Sequence, residues 1–184
     1  MSAKVARKAG QLNKAYNLLL EAQKFSNKEV FIETAKLSWA RMCKTEAIAT
    51  LEKGITDQFP SLSFGFDKNI VAKCSGEDLN VCGKAKLLLA RYVDEAANLG
   101  PEIVPTYYNE AKTILSHSED VFYHSARFFD KIIGKNYEES ELDVRGDIVC
   151  HIMMQYVRSL LYGCNHLHQS LGNNYLEETT TIFK

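Results

Sequence analysis

The sequence predicts an all-α fold of stacked antiparallel helix hairpins, a tetratricopeptide-like (TPR-like) α-solenoid. Three observations point there. The three prolines in 184 residues all fall between Phe59 and Pro105, which leaves both flanking stretches free of the strongest helix breaker. Apolar residues recur at intervals of three and four through about seven segments of roughly 12 to 25 residues, joined mostly by short connections. Small residues, Ala35, Ala96, Ala111 and Ala126, sit within the stripes, where they allow close helix approach opposite bulky Tyr and Phe. The roughly 34-residue period of TPR proteins is visible only loosely, and a compact bundle is the alternative arrangement.

Over residues 11–24, Leu12, Ala15, Tyr16, Leu19 and Ala22 form one helical stripe, preceded by a turn at Gly10. Residues 28–43 carry Phe31, Ala35, Trp39 and Met42 on one face, with Asn27 as the expected N-cap. Trp39 is expected as a buried anchor between this helix and the next. That next helix covers 45–58 with Ile48, Leu51 and Ile55 in register, and stops before Phe59-Pro60 because the residue preceding proline is driven out of the helical region. From about 60 to 82 the stripe is lost. Ser61, Ser63, Gly65, Asp67, Asn69, Ser75, Gly76 and Asp78 supply turn chemistry, so this stretch is expected to be an irregular loop.

Periodicity returns at Gly83 with Ala85, Leu88, Tyr92, Ala96 and Leu99, ending at Gly100-Pro101. Val104, Tyr107, Tyr108, Ala111, Ile114 and Leu115 define the next helix. Phe122, Ser125, Ala126, Phe129, Ile132 and Ile133 define the one after it, with Ser118 as its expected N-cap. A charged linker over 135–143 precedes the longest stripe, Val149 to Leu167, about five turns at 3.6 residues per turn. Residues 170–184 read as a frayed or separately folded tail.

Charge and composition remove several function classes. Lys and Arg number 22 against 23 Asp and Glu, a net charge of −1, so the chain lacks the basic field with which nucleic-acid-binding domains neutralise phosphates. No apolar run approaches the roughly 18 to 20 residues that cross a bilayer, and residues 1–8 lack the apolar core of a signal peptide. The expectation is a soluble intracellular chain with no direct nucleic-acid or membrane contact. Cys43, Cys74, Cys82, Cys150 and Cys164 are odd in number and irregularly spaced, which argues against a disulfide framework and for most of them being small apolar packing residues.

Chemistry-bearing patterns are sparse. No phosphate-binding glycine loop occurs, and the strand lysine and paired aspartates of a kinase have no counterpart in an all-helical chain. Cys150-His151 and Cys164-x-His166-x-His168 lie on one predicted helix, roughly 21 Å apart at 1.5 Å per residue, too far to converge on zinc. The run Glu138-Glu139-Ser140-Glu141 with Asp143 reads as a solvated linker suited to a following helix N-terminus. Tyr107, Tyr108, Phe122, Tyr123, Phe128 and Phe129 form an aromatic stripe that fits a core better than a binding groove. Lys4, Arg7, Lys8 and Lys14 read as a solvated face, with an acidic partner as the sharper alternative. No catalytic, cofactor-binding or metal-binding residue is assigned, and no cofactor is expected.

Several blocks nevertheless carry a resemblance. Ala6-Arg7-Lys8-Ala9-Gly10 and Ala15-Tyr16-Asn17-Leu18-Leu19-Leu20-Glu21-Ala22, then Glu33-Thr34-Ala35-Lys36-Leu37-Ser38-Trp39-Ala40 and Ala47-Ile48-Ala49-Thr50-Leu51-Glu52-Lys53-Gly54, resemble successive helices of one family. So do Phe122-Tyr123-His124-Ser125-Ala126-Arg127-Phe128-Phe129-Asp130-Lys131, Gly146-Asp147-Ile148-Val149, Arg158-Ser159-Leu160-Leu161-Tyr162-Gly163 and Gln169-Ser170. The family is the FAT region of the phosphatidylinositol-3-kinase-related protein kinases, most specifically the ATR-type DNA-damage checkpoint kinases.

The resemblance divides the chain into a FAT-type helical-repeat segment over 1–170 and a divergent tail over 171–184. It implies a solenoid that curls around a kinase domain, with the kinase domain and neighbouring helical repeats as partners. It also implies a dedicated ATR-interacting partner protein, nuclear localisation and Ser/Thr-Gln phosphorylation by the full-length enzyme, whose catalytic residues lie outside this segment.

Two functions follow as expectations. The first is a noncatalytic scaffold in a checkpoint kinase. The second is a free-standing TPR-like adaptor that grips a protein or peptide. The first is favoured because residues 3–9 read as the last turns of a helix and the tail lacks a polar capping helix, where a complete repeat protein is usually capped.

Overall fold

A computed structural model of the protein describes residues 2–25, 27–63, 74–97, 99–100, 102–116 and 118–138. Within them the all-α expectation is borne out. The elements are α1 (Ala3–Lys8), α2 (Leu12–Ala22), α3 (Val30–Ala40), α4 (Lys44–Gln58), α5 (Pro60–Ser63), α6 (Gly76–Ala96), α7 (Val104–Ile114) and α8 (Glu119–Glu138). No strand occurs among the described residues. The stripe over 149–167, the Cys150–His168 residues, the linker beyond Glu138 and the 171–184 tail lie outside them.

The chain divides into two compact units, Met1–Leu115 and Ser116–Lys184. In the first, α1 packs on α2, α2 on α3, α3 on α4, α4 on α6 and α6 on α7, with the short α5 against α4. Particular contacts fix the directions. Arg41, just past the end of α3, donates to the Leu12 carbonyl at the start of α2, so α2 and α3 run antiparallel. Phe31 at the start of α3 meets Gly54 near the end of α4, and Gly83 early in α6 meets Leu115 just past α7. Lys44 at the start of α4 reaches the Glu95 carbonyl at the end of α6. These four pairs are therefore antiparallel, as short connections impose on α2 with α3 and α3 with α4.

The stripes largely become the core. Ala15 and Leu19 of α2, Leu51 and Ile55 of α4, and Val104, Tyr108, Ala111 and Ile114 of α7 are buried. Three expected stripe residues are not: Tyr16 is 44%, Met42 77% and Leu99 39% exposed. The α6 stripe is also more than a stripe. Val81, Cys82, Gly83 and the run Ala85 to Ala90 are buried together with Tyr92 and Val93, so α6 is enclosed around most of its circumference, as a central helix must be. In the second unit, Phe122, Ser125, Ala126 and Phe129 of α8 are buried as the periodicity predicts, joined by Val121 and Phe128.

The expected loop over 60–82 needs correction at both ends. Pro60 opens the short α5, since its fixed φ and missing N–H suit a first helical position. At the other end α6 begins at Gly76, seven residues before Gly83 (83 − 76), because the Ser75 hydroxyl accepts from the Asp78 N–H at 3.1 Å and caps it. Ser, Gly and Asp serve turns and helix caps alike, so turn chemistry hid a helix start. Asn27 is a smaller correction. Its side chain accepts from the Glu29 N–H at 2.8 Å, which closes a turn ahead of α3, whereas the capping position itself is Glu29 with no side-chain bond.

Two helices end in the same six-residue closure. After α1, the N–H groups of Gly10 and Gln11 donate to the carbonyls of Arg7 and Ala6; after α3, those of Met42 and Cys43 donate to Trp39 and Ser38. Both are Schellman motifs, which place one residue in the left-handed region. Gly10 takes that position at φ 75° and Met42 at φ 65°. Glycine adopts it without steric cost, whereas methionine carries a penalty of roughly 1 kcal/mol. Because Met42 is exposed and loses little packing when truncated, Met42→Gly is expected to stabilise the chain by about 0.5 to 1 kcal/mol, read as a higher midpoint in urea unfolding. At the end of α6 the left-handed residue is Ala97, φ 52°, three positions before the expected stop at Gly100.

Candidate functional site

The contacts that set this molecule's geometry are helix crossings, and two of them are built on glycine. A Cβ added at Gly54 would stand 2.2 Å from Phe31 Cδ2, and one at Gly83 would stand 2.3 Å from Leu115 Cγ. In both, a missing side chain on one helix admits a bulky one from its neighbour. Of the alanines singled out for this role, Ala35, Ala111 and Ala126 are buried, while Ala96 is only half-buried. The two glycines were missed there, although a glycine inside a helical pattern is itself a sign of close approach.

Ion pairs lock the same layers. Arg7 of α1 and Lys36 of α3 both bond the Glu33 carboxylate, at 3.2 and 2.7 Å. Lys28, ahead of α3, pairs with Asp78 of α6. Lys86, 5% exposed on the enclosed α6, pairs with Glu110 of α7 at 2.8 Å. Burial alone would push the Glu33 carboxyl up; the bond and charge of Lys36 and those of Arg7 outweigh it and hold the group below its ordinary value of 4.5.

A lowered carboxyl pKa means that the unfolded state binds more protons in acid, so the stabilisation is complete above about pH 4.5 and is lost as pH falls through the folded value. Glu33→Gln is expected to cost about 1 kcal/mol at pH 7 and to flatten the acid limb of stability against pH. Urea unfolding from pH 7 to 3 checks both effects.

Trp39 is half-buried, and its partner differs from the expected one. Its ring stacks on Tyr92 of α6, centroids 3.8 Å apart and planes 9° apart, with Lys44 Nζ 5.3 Å from the ring on the α4 side. Burial pushes the Tyr92 hydroxyl up to about 12, so it is neutral in the stack. Trp39 thus bridges α3 to α6 as well as facing α4.

The aromatic stripe divides. Tyr108, Phe122, Phe128 and Phe129 are core residues, Tyr107 is half-buried and Tyr123 is 62% exposed. Arg7 of the basic group is held by Glu33, while Lys4, Lys8 and Lys14 are exposed. Cys82 is a packing residue whose thiol burial raises to about 11, which leaves it without nucleophilic character at neutral pH. Cys74 is half-buried, and Cys43 is exposed. Among the described residues no group of His, Cys, Asp and Glu is placed to hold a metal ion, and no helix is long and apolar enough to cross a membrane.

One concavity accompanies these contacts. A half-open cleft of about 500 Å³ lies between the end of α2, the start of α3 and one face of α4, with Phe25, Phe31, Thr34, Thr50 and Gln58 in its wall. It contains no nucleophile paired to a base.

Antiparallel helices locked by glycine crossings and interlayer ion pairs define a helical-repeat module. The chain matches the FAT domain family over residues 1–172 and belongs to it, as an ATR-type segment. It is 31% identical over 175 residues to serine/threonine-protein kinase ATR of Drosophila melanogaster, covering 92% of this chain and 7% of that kinase. It is 26% identical over 174 residues to protein kinase rad3 of Schizosaccharomyces pombe, with 92% and 7% covered. With serine/threonine-protein kinase MEC1 of Candida albicans the figures are 23% over 167 residues, 91% and 6%. No solved structure matches. The chain therefore spans about 7% of the length of these curated relatives. The full-length relatives are serine/threonine kinases, whereas the FAT match occupies all but 12 of these 184 residues (184 − 172), which leaves no room in this chain for a kinase domain.

Proposed function

We propose that the chain is a noncatalytic helical support within an ATR-type checkpoint kinase, bracing the kinase domain and taking part in assembly during the DNA-damage and replication-stress response. The observation that carries this reading is the FAT match over 1–172 on a chain whose described residues are joined by helix crossings and interlayer ion pairs. The partners in this reading are the kinase domain and neighbouring helical repeats of the same polypeptide, together with the dedicated partner protein of the ATR-type kinases, in the nucleus. A support of this kind raises activity only by binding the active arrangement of the kinase domain better than the inactive one, because equal binding to both shifts nothing.

The test is to place Gly54→Val in the full-length kinase and to measure phosphorylation of a Ser-Gln peptide. No catalytic group is touched, yet activity is expected to fall several-fold with the amount of folded kinase domain unchanged. Full activity with a demonstrably disrupted α3–α4 crossing would overturn the reading. So would magnesium-dependent ATP turnover by the 184-residue chain above that of a mock preparation.

A further inference from the structure

We draw no further inference here: the strongest candidate, the half-open cleft between the end of α2, the start of α3 and one face of α4 with Phe25 at its rim, carries none because its charged lining residue, Lys28, is already paired with Asp78 and nothing in the structure shows what covers it.

Discussion

Gly54→Val is expected to remove about 3 kcal/mol of stability from the first unit. The first carbon of the new side chain would stand 2.2 Å from Phe31 Cδ2, 2.4 Å from Cγ and 2.9 Å from Cε2, well inside the roughly 3.5 to 4.0 Å of a carbon–carbon contact. These atoms belong to the root and edge of a ring on the first turn of α3, so relief requires a shift of the ring or of the helix. Overpacking of a helix interface costs about 1 to 3 kcal/mol, and the two valine methyls add to the first clash. The opposing term, the helix preference of valine over glycine, is only a few tenths of a kcal/mol. Gly54→Ala has the single carbon and recovers about 1 kcal/mol of helix propensity, so it should lie between wild type and valine.

The decisive comparison is the pair Gly54→Val with Phe31→Ala, in which the new methyls enter the space the ring vacates. The double variant should be less destabilised than the sum of the singles. Trp39 is the sole tryptophan and lies in this unit, so its fluorescence in urea follows the relevant transition. A loss below about 0.5 kcal/mol for Gly54→Val, the range of surface substitutions, would show that the crossing is open.

How much of this was legible in the sequence depends on which physical signal each feature leaves. Stripes at three and four residues led to α2, α4, α7 and α8, because burying one face is what a helix in a layered stack must do. They misplaced Met42 for a definite reason: the stripe continues in register past Ala40, but a Schellman closure turns the chain there and carries the side chain into solvent. The enclosure of α6 was only half legible. Leu87, Leu89 and Lys86 fall between the expected stripe positions, and a buried lysine leaves no apolar mark; its burial depends on Glu110, which lies 24 positions along the chain on the next helix. The start of α6 at Gly76 was hidden by residues that serve turns and caps alike. The cleft was invisible for a different reason, since its wall gathers residues from three elements, and no local pattern encodes how those elements converge.

Trp39→Ala is expected to cost about 3 kcal/mol, although the ring is not fully enclosed. A buried aromatic covers roughly 150 to 250 Å²; half of the upper figure at about 25 cal/mol per Å² gives about 3 kcal/mol. The stack on Tyr92 contributes a further 0.5 to 1.5 kcal/mol or so, which offsets the reduced area assumed for the denatured chain. The consequences reach α6, because the ring is what Tyr92 rests on and what Lys44 faces while donating to the Glu95 carbonyl. Trp39→Phe keeps a ring for Tyr92 to stack on and should cost only about 1 kcal/mol, whereas Trp39→Leu keeps apolar bulk without a π face and should fall between phenylalanine and alanine. That order, Phe then Leu then Ala, distinguishes a stacked bridge from simple filling, in which leucine and phenylalanine would be equivalent. Far-ultraviolet circular dichroism in urea reads the series, since the tryptophan signal is lost with the residue. Hydrogen exchange at the last turn of α6, faster in Trp39→Ala than in Trp39→Phe, would locate the loss at the Tyr92 contact; equal exchange in the two variants would place the role of Trp39 within the α3–α4 pair.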